Sequence, residues 1–330
     1  DYYQKRTSDL LLNVPVPTLT GYSTALQNIG EILNKGLEFT VTSRNTVGAF
    51  KWTTDFNIST NNISVQALGP DGSPIISRQV TSASSPTHIT QIGSEPGSYY
   101  GYQVVGIYQN QQDLDSSPVV LNGNGTVQSK PGQLKFADIN GDGVITTADR
   151  TVLGSPFPDY TFGMTNSFNY KNFDFAFTLQ GVQGFEVLNL ARRYYGNYSG
   201  TYNVLRSTAD GWMSETDLGD GVSPQIDRNF NALAGSNVIN NVTSLFVEDG
   251  SFLRIRNITL GYNLSQPALQ KLKLSSARLS FTVQNAYTFT KYEGYNPEVS
   301  AQGGSTLVPG VDAGGYPLAR SFMFGLNVGF

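Results

Sequence analysis

The chain has no cysteine and one histidine in 330 residues. That excludes a disulfide framework, a thiolate zinc site and a Cys–His nucleophile pair. Charge is also scarce, with Asp, Glu, Lys and Arg at 14%. A net charge of −4 and a pI near 5.1 leave no basic surface of the kind nucleic acid requires, so no nucleic-acid partner is expected. No run approaches the ~20 consecutive apolar residues of a membrane helix. A Gly-x-Ser-x-Gly elbow is missing, and glycine-rich pieces such as Asn122-Gly-Asn-Gly125 lack a phosphate-loop lysine. His88 lies in the polar stretch Ser84-Ser-Pro-Thr-His-Ile-Thr90, and the pairs Asp113/Asp115 and Asp217/Asp220 read as solvated loop acids. No enzyme is expected.

What the chain has in quantity is aromatic rings (12%) and glycine (35 residues). The rings alternate with polar residues. Phe50-Lys-Trp52-Thr-Thr54-Asp-Phe56-Asn-Ile58 and Phe173-Asp-Phe175-Ala-Phe177-Thr-Leu179 show the pattern, as does Phe322-Met-Phe324-Gly-Leu326-Asn-Val328. A period of two gives each strand one apolar and one polar face. In a soluble sandwich the outer face is rich in Lys and Glu. Here the polar face is Thr, Ser, Asn, Gln and Gly, the composition of a water-filled interior, while the other face is large and apolar, suited to lipid. Rings near strand ends, such as Tyr160, Tyr170, Tyr262 and Tyr287, add an aromatic girdle.

The spacing predicts eight strands, over 1–7, 36–44, 49–60, 159–170, 172–184, 251–264, 277–290 and 318–330. Their spans suit the roughly 9–11 residues of a tilted outer-membrane strand. Turns are expected to be short at 45–48 and 171, with a helical piece near Pro267 to Lys273 in a moderate turn. The connections 8–35, 61–158, 185–250 and 291–317 are expected to be long and without structure of their own. Short turns on one side and long loops on the other describe an all-β transmembrane antiparallel barrel whose long loops are extracellular. One strand breaks parity: Leu253 and Ile255 face opposite to Ile258, which predicts a bulge near Arg256 or a strand end above the lipid.

The 61–158 connection carries Asp138-Ile-Asn140-Gly-Asp142-Gly143-Val144-Ile-Thr146-Thr-Ala-Asp149. Oxygen-bearing side chains fall at loop positions one, three, five, nine and twelve, and a glycine stands where the chain must turn sharply. Val144 would offer its backbone carbonyl. This is the ligand pattern of a structural calcium site over 138–149, with Asp149 one methylene shorter than the usual glutamate. Residues around Gln133 to Phe136 read as extended, and Thr147 to Val152 as one helical turn. Candidate substrate contacts are Tyr99, Tyr100 and Tyr102 in one long connection. Arg192, Arg193, Tyr194, Tyr195 and Tyr198 are candidates in another, since exposed rings and guanidinium groups stack on sugars or anchor peptides. Packing of the loops against one another is the competing reading.

Several stretches resemble one family. Lys135 to Gly154, Pro158 to Gly163, Tyr170 to Asp174, Gln180 to Val182, Val247 to Leu264, Gln284 to Glu298 and the ending from Gly310 are similar to TonB-dependent outer-membrane transporters of the SusC/RagA type. Asn28-Ile-Gly30 with Asn34 to Glu38 is similar to an upstream segment of that family. The resemblance covers essentially the whole chain. It implies a larger barrel of about 22 strands closed around an N-terminal plug, of which this chain would be the last eight strands or so. Asp1-Tyr-Tyr-Gln, opening as though in mid-strand, agrees. It further implies import of oligosaccharides or peptides in the bacterial outer membrane. A SusD-like surface lipoprotein would act as lid, and a TonB complex would act on a plug outside these residues. A small self-contained barrel with adhesive loops and a secreted, calcium-stabilised, glycan-binding β-sandwich are the alternatives.

Overall fold

The computed structural model describes residues 1–15, 24–69, 71–78, 85–121, 124–196, 203–226, 241–300 and 307–330. Its backbone is dominated by eight antiparallel strands. They are β1 (Tyr2–Pro15), β2 (Thr24–Val47), β3 (Phe50–Ala67), β4 (Tyr160–Tyr170), β5 (Phe173–Gln183), β6 (Phe252–Asn263), β7 (Ser276–Thr290) and β8 (Ser321–Gly329). Each pairs with its neighbours in sequence, β1 through β8 in order, to make one wall with β1 and β8 at its edges. Among the described residues no helix is long and apolar enough to cross a membrane, which says nothing about crossing by strands.

The alternation seen in the sequence sorts the two faces. Phe162, Met164, Phe168 and Tyr170 of β4 stand beside Gly181, Leu179, Phe175 and Phe173 of β5 on one side. That face stays open: Phe173, Phe175, Leu260, Leu279, Phe322 and Leu326 are exposed, and Phe324 is 85% exposed. No second sheet covers it among the described residues, so it is not the inner face of a sandwich. Its rings pack laterally instead, Phe168 against Trp52 (5.8 Å between centroids) and Phe175 (5.9 Å), and Phe281 against Phe324 (4.8 Å). The opposite face is laced by hydroxyl pairs: Thr165–Thr178 (3.1 Å), Thr259–Thr282 (3.1 Å) and Ser59–Thr161 (2.9 Å). One ion pair, Arg278 Nη2 to Asp174 Oδ2 at 2.5 Å, arches over Gly261, where a side chain would collide with it. Asn166 is the polar exception on the apolar face. Its Oδ1 accepts from Trp52 Nε1 (2.9 Å) and Thr54 Oγ1 (2.7 Å), so its carbonyl is satisfied within the wall.

The parity break at β6 is a bulge. Pairing to β5 and to β7 runs from Ile255 to Asn257 and skips Arg256. The extra residue returns Ile255 to the apolar face, opposite Leu179 and Tyr287. It turns Arg254 to the polar side, where it bonds Thr288, Asn296 and Glu298.

The turns are short as expected but shifted: strand continues through the expected 45–48 to Val47, leaving two residues at Gly48-Ala49, and the second turn is Lys171-Asn172. The helix Gln266–Leu272 joins β6 to β7. The connection over 8–35 is different from its expectation. β1 continues to Pro15 and β2 begins at Thr24, so most of this stretch is strand. β2 and β3 rise past the row where Leu37, Thr60 and Tyr160 pair, β2 by 13 residues (Thr24–Gly36), roughly 43 Å at the rise of a strand. Above that row β2 loses the alternation of large apolar residues, and in β3 it resumes with the opposite parity at Ile63, Val65 and Ala67, so neither stretch continues the pattern of the strands below.

Candidate functional site: the interlocked long connections

Three long connections leave the same rim of the wall: Leu68 to Asp159, Gly184 to Ser251, and Lys291 to Arg320. They are not structureless. Ile75–Ser77, His88–Thr90, Ser98–Tyr102 and Arg150–Gly154 form a four-stranded sheet. Val104–Ile107 pairs with Leu134–Phe136, and Glu186–Asn189 pairs with both Val247–Asp249 and Val311–Asp312. The connections share cores. Tyr99, Leu188, Leu190, Val242, Phe246 and Val311 bring together residues of all three. Tyr102, Ile107, Leu134, Phe136 and Ile145 of the first pack with Trp212 of the second. Trp212 donates Nε1–H to the Gln109 carbonyl (3.1 Å) and lies on Gly132, a position with φ of 83° and no room for a side chain. The result is a cap with an ordinary buried interior, standing on the rim of a wall whose apolar face stays open.

Buried polar groups lock the cap. Tyr99 is fully buried, and its hydroxyl bonds the carbonyls of Glu186 (3.0 Å) and Gly310 (2.9 Å), one from each of the other connections. Burial pushes its phenol upward. His88 is a strand residue and fully buried, not part of an exposed polar loop. Its Nδ1 meets Thr87 Oγ1 at 2.7 Å and its Nε2 meets the Pro309 carbonyl at 3.0 Å. Burial lowers its pKa to about 4.

The sequence candidates for substrate contact divide accordingly. Tyr102 is buried under Arg150, whose guanidinium lies 5.2 Å from the ring centre. Arg193 is buried beside Tyr194. Arg192 bridges Glu248 (3.2 Å) and Glu293 (3.5 Å), and the Tyr195 hydroxyl accepts from Asn189 Nδ2 (2.7 Å). Tyr100 is half-buried and Tyr194 is 47% exposed. Tyr198 lies outside the described residues.

The 138–149 loop is wound tightly. Asp138 accepts the amides of Gly141 and Gly143, both at 2.7 Å, and these amides, that of Gly143 first, hold its carboxyl below the usual range. Asn140 Oδ1 accepts from the Asp142 amide (3.1 Å), and Asp142 Oδ1 from the Val144 amide (2.8 Å). Asp149, fully buried, closes the loop by accepting from the amides of Ile139 (2.9 Å) and Thr146 (2.7 Å). Residues 147–149 form the expected helical turn, a short 3-10 helix capped by Thr146. Val119 bonds the Gly143 carbonyl (3.3 Å) and the Ile145 amide (2.9 Å), so Val144's own carbonyl points to the other side. Among the described residues no three His, Cys, Asp or Glu side chains are gathered to hold a metal. Asp138 and Asp142 keep a second lone pair on each carboxylate oxygen that accepts one amide, which is the chemistry a cation would need of them.

One feature has no linear signal. Glu95, Asp159, Glu186 and Asp249 line a cavity of about 620 Å³ where cap meets wall. Ser155 ties two of them, its amide to Glu186 Oε2 (2.8 Å) and its hydroxyl to Glu95. Burial, with the charges of Asp249, Glu95 and Asp159, pushes the Glu186 carboxyl up. The four acids come from separate segments, so only the fold brings them together.

No family model matches the chain. Among curated proteins it is 37% identical over 340 residues to TonB-dependent receptor P3 of Formosa agariphila, covering all of this chain and 32% of that protein. It is 31% identical over 338 residues to TonB-dependent receptor SusC of Bacteroides thetaiotaomicron, covering all of this chain and 30% of that one. Among solved structures, the RagAB peptide transporter matches over the full chain with a TM-score of 0.75 at 20% identity, covering 33% of its own chain. The chain spans about a third of the length of the curated relatives it matches.

Proposed function

Since this chain is a portion of a SusC-type TonB-dependent receptor, matched along its full length, we propose that it serves TonB-dependent import of oligosaccharides or peptides across the bacterial outer membrane. The observation that carries this reading is the pairing of two surfaces in one chain. A wall that is apolar on one face and polar on the other is surmounted by a folded cap of three interlocked connections. The apolar face meets lipid, the hydroxyl-lined face meets the aqueous lumen, and the cap stands outside the cell. Substrate is selected and moved without covalent chemistry. Energy arrives from a TonB complex through a plug elsewhere in the full protein, and a SusD-like lipoprotein closes over the cap. Tyr100, Tyr194 and Arg192 are the candidates left to face a substrate or this lid, while Tyr99, Tyr102 and Arg193 hold the cap together and Tyr195 supports Arg192 through Asn189 and Glu248.

Calcium belongs to the same proposal. Asp138, Asn140, Asp142, Thr146 and Asp149 would hold it with the Val144 carbonyl. Ile145 of the loop is a core residue, so a bound ion would stiffen the cap through it.

The test is uptake of fluorescent oligosaccharides and peptides by cells carrying the full-length receptor, compared with cells lacking it or lacking TonB. Uptake of one class that disappears in both strains supports the reading. Uptake indifferent to TonB contradicts it.

A further inference from the structure

The lipid-side wall is not uniform at its short-turn end. Phe173, Leu260, Tyr262, Leu279, Phe281 and Leu326 border an open groove of about 400 Å³ on the apolar face. Two of its bordering residues, Phe173 and Tyr262, stand beside the short turns in sequence. There stand Lys171, in the two-residue turn before Phe173, and the helix Gln266–Leu272 followed by Lys273, which together present Lys271 and Lys273. All three lysines are exposed. Lys171 Nζ lies 5.3 Å over the Tyr170 ring, a ring of the apolar face, so this ammonium is carried toward the lipid side. The backbone joins the two turns directly, the Asn263 amide donating to the Asn172 carbonyl at 2.8 Å.

No acid balances these cations on the outer side of this rim among the described residues. Asp174 is committed to Arg278, and Asp55, on the polar face, accepts from Thr42 Oγ1. Leu272, 58% exposed on the same helix, gives it an apolar edge at the level of the lysines. An apolar groove that ends at three uncompensated ammonium groups is complementary to one kind of molecule, with an acyl chain at one end and an anionic phosphate at the other.

We propose that this rim is a binding site for an anionic phospholipid of the inner leaflet, its acyl chain in the Leu260–Leu279–Leu326 groove and its phosphate among Lys171, Lys271 and Lys273. The proposal rests on the reading of the wall as membrane-spanning with its short turns in the periplasm. Site-bound lipid at this rim would fix the height of the wall in the bilayer and the tilt of β5 to β8.

The experiment uses the full-length receptor, extracted and reconstituted in nanodiscs of phosphatidylcholine with 10% phosphatidylglycerol of equal chain length. The lipids that stay bound are then counted by native mass spectrometry. Basic groups at an anionic surface each contribute enough that removing all three lysines is expected to lower retained phosphatidylglycerol by roughly ten-fold or more, with phosphatidylcholine unchanged. The variant is Lys171→Asn, Lys271→Gln, Lys273→Asn, the asparagines chosen because positions 171 and 273 are left-handed (φ 52° and 55°). The triple arginine variant should retain phosphatidylglycerol as the parent does. Equal retention by parent and neutral variant, or a parent that keeps phosphatidylcholine as well as phosphatidylglycerol, would overturn the site. Failure of the underlying reading looks different, as a full-length protein that needs no detergent and enters no nanodisc.

Discussion

Wall and cap are folded by opposite solvent rules within one chain. In the wall, Phe173, Phe324 and Leu326 are exposed and the hydroxyls of Thr165, Thr178, Thr259 and Thr282 are turned inward. In the cap, Tyr99, Tyr108, Phe136 and Leu188 are buried almost completely. Charge follows the same division. Of the chain's 25 acids, 19 lie in the three long connections, with only 10 of its 21 basic residues. The wall strands and short turns hold the remaining 6 acids and 11 basic residues. The wall leaves its apolar face exposed, whereas the cap carries its own hydrophobic core, so perturbations should separate the two.

The largest separation is expected from Tyr99→Ala. Deleting a buried ring and its two hydrogen bonds should cost the cap about 3–5 kcal/mol. Limited proteolysis should then cut the 68–159 connection while heat-modifiable migration of the barrel is unchanged. If the barrel also fails to migrate as folded, wall and cap are one cooperative unit. The converse change is Phe177→Arg, mid-strand on the lipid face, with an expected cost of about 2–4 kcal/mol. Its neighbour Thr178→Arg, on the lumen face, should cost far less. Folded yield in detergent compares the two, and equal losses would break the assignment of faces.

Acid should loosen the cap alone. His88 takes up a proton near pH 6.5 when unfolded but only near pH 4 when folded, so its contribution is complete above 6.5 and is lost as pH falls through that window. The loss amounts to about 3 kcal/mol, from the difference between the two pKa values. Protease sensitivity of the cap between pH 7 and pH 4 should rise in the parent and rise much less in His88→Gln. The smallest effect is expected from calcium. At ten times its Kd the ion should slow cleavage of the 68–159 connection about ten-fold, by mass action on the folded form. Chelator should remove that protection, and Asp142→Ala should abolish the response. Equal cleavage with and without chelator would contradict a metal role for the loop.

The same division explains what the sequence could reveal. Wall strands were legible because the membrane demands strict alternation: β4 to β8 were expected within three residues at each end. The bulge at Arg256 was legible because it broke that parity. Where β2 and β3 rise beyond the lipid the demand ceases, so 8–15 and 24–35 read as loop although they pair as strand. The cap was harder still. Its strands are two to five residues long and its cores join residues far apart in sequence, such as Ile145 with Trp212 and Tyr99 with Gly310. Motif spacing located the 138–149 loop, but nothing linear announced the acids around Glu186. The aromatic clusters chosen as substrate contacts were chosen for composition, which does not distinguish Tyr99, sealed in a core, from Tyr194 on the surface.

The central claim is that the open apolar face meets lipid and the hydroxyl face meets water. This stretch has no native cysteine, so single cysteines can be placed one at a time from Asp174 to Gln180 in the full-length receptor in intact outer membranes. Labelling with a water-soluble maleimide should alternate, with reaction at 174, 176, 178 and 180 and protection at 175, 177 and 179. Uniform labelling along the strand, or alternation with the opposite parity, would contradict the account.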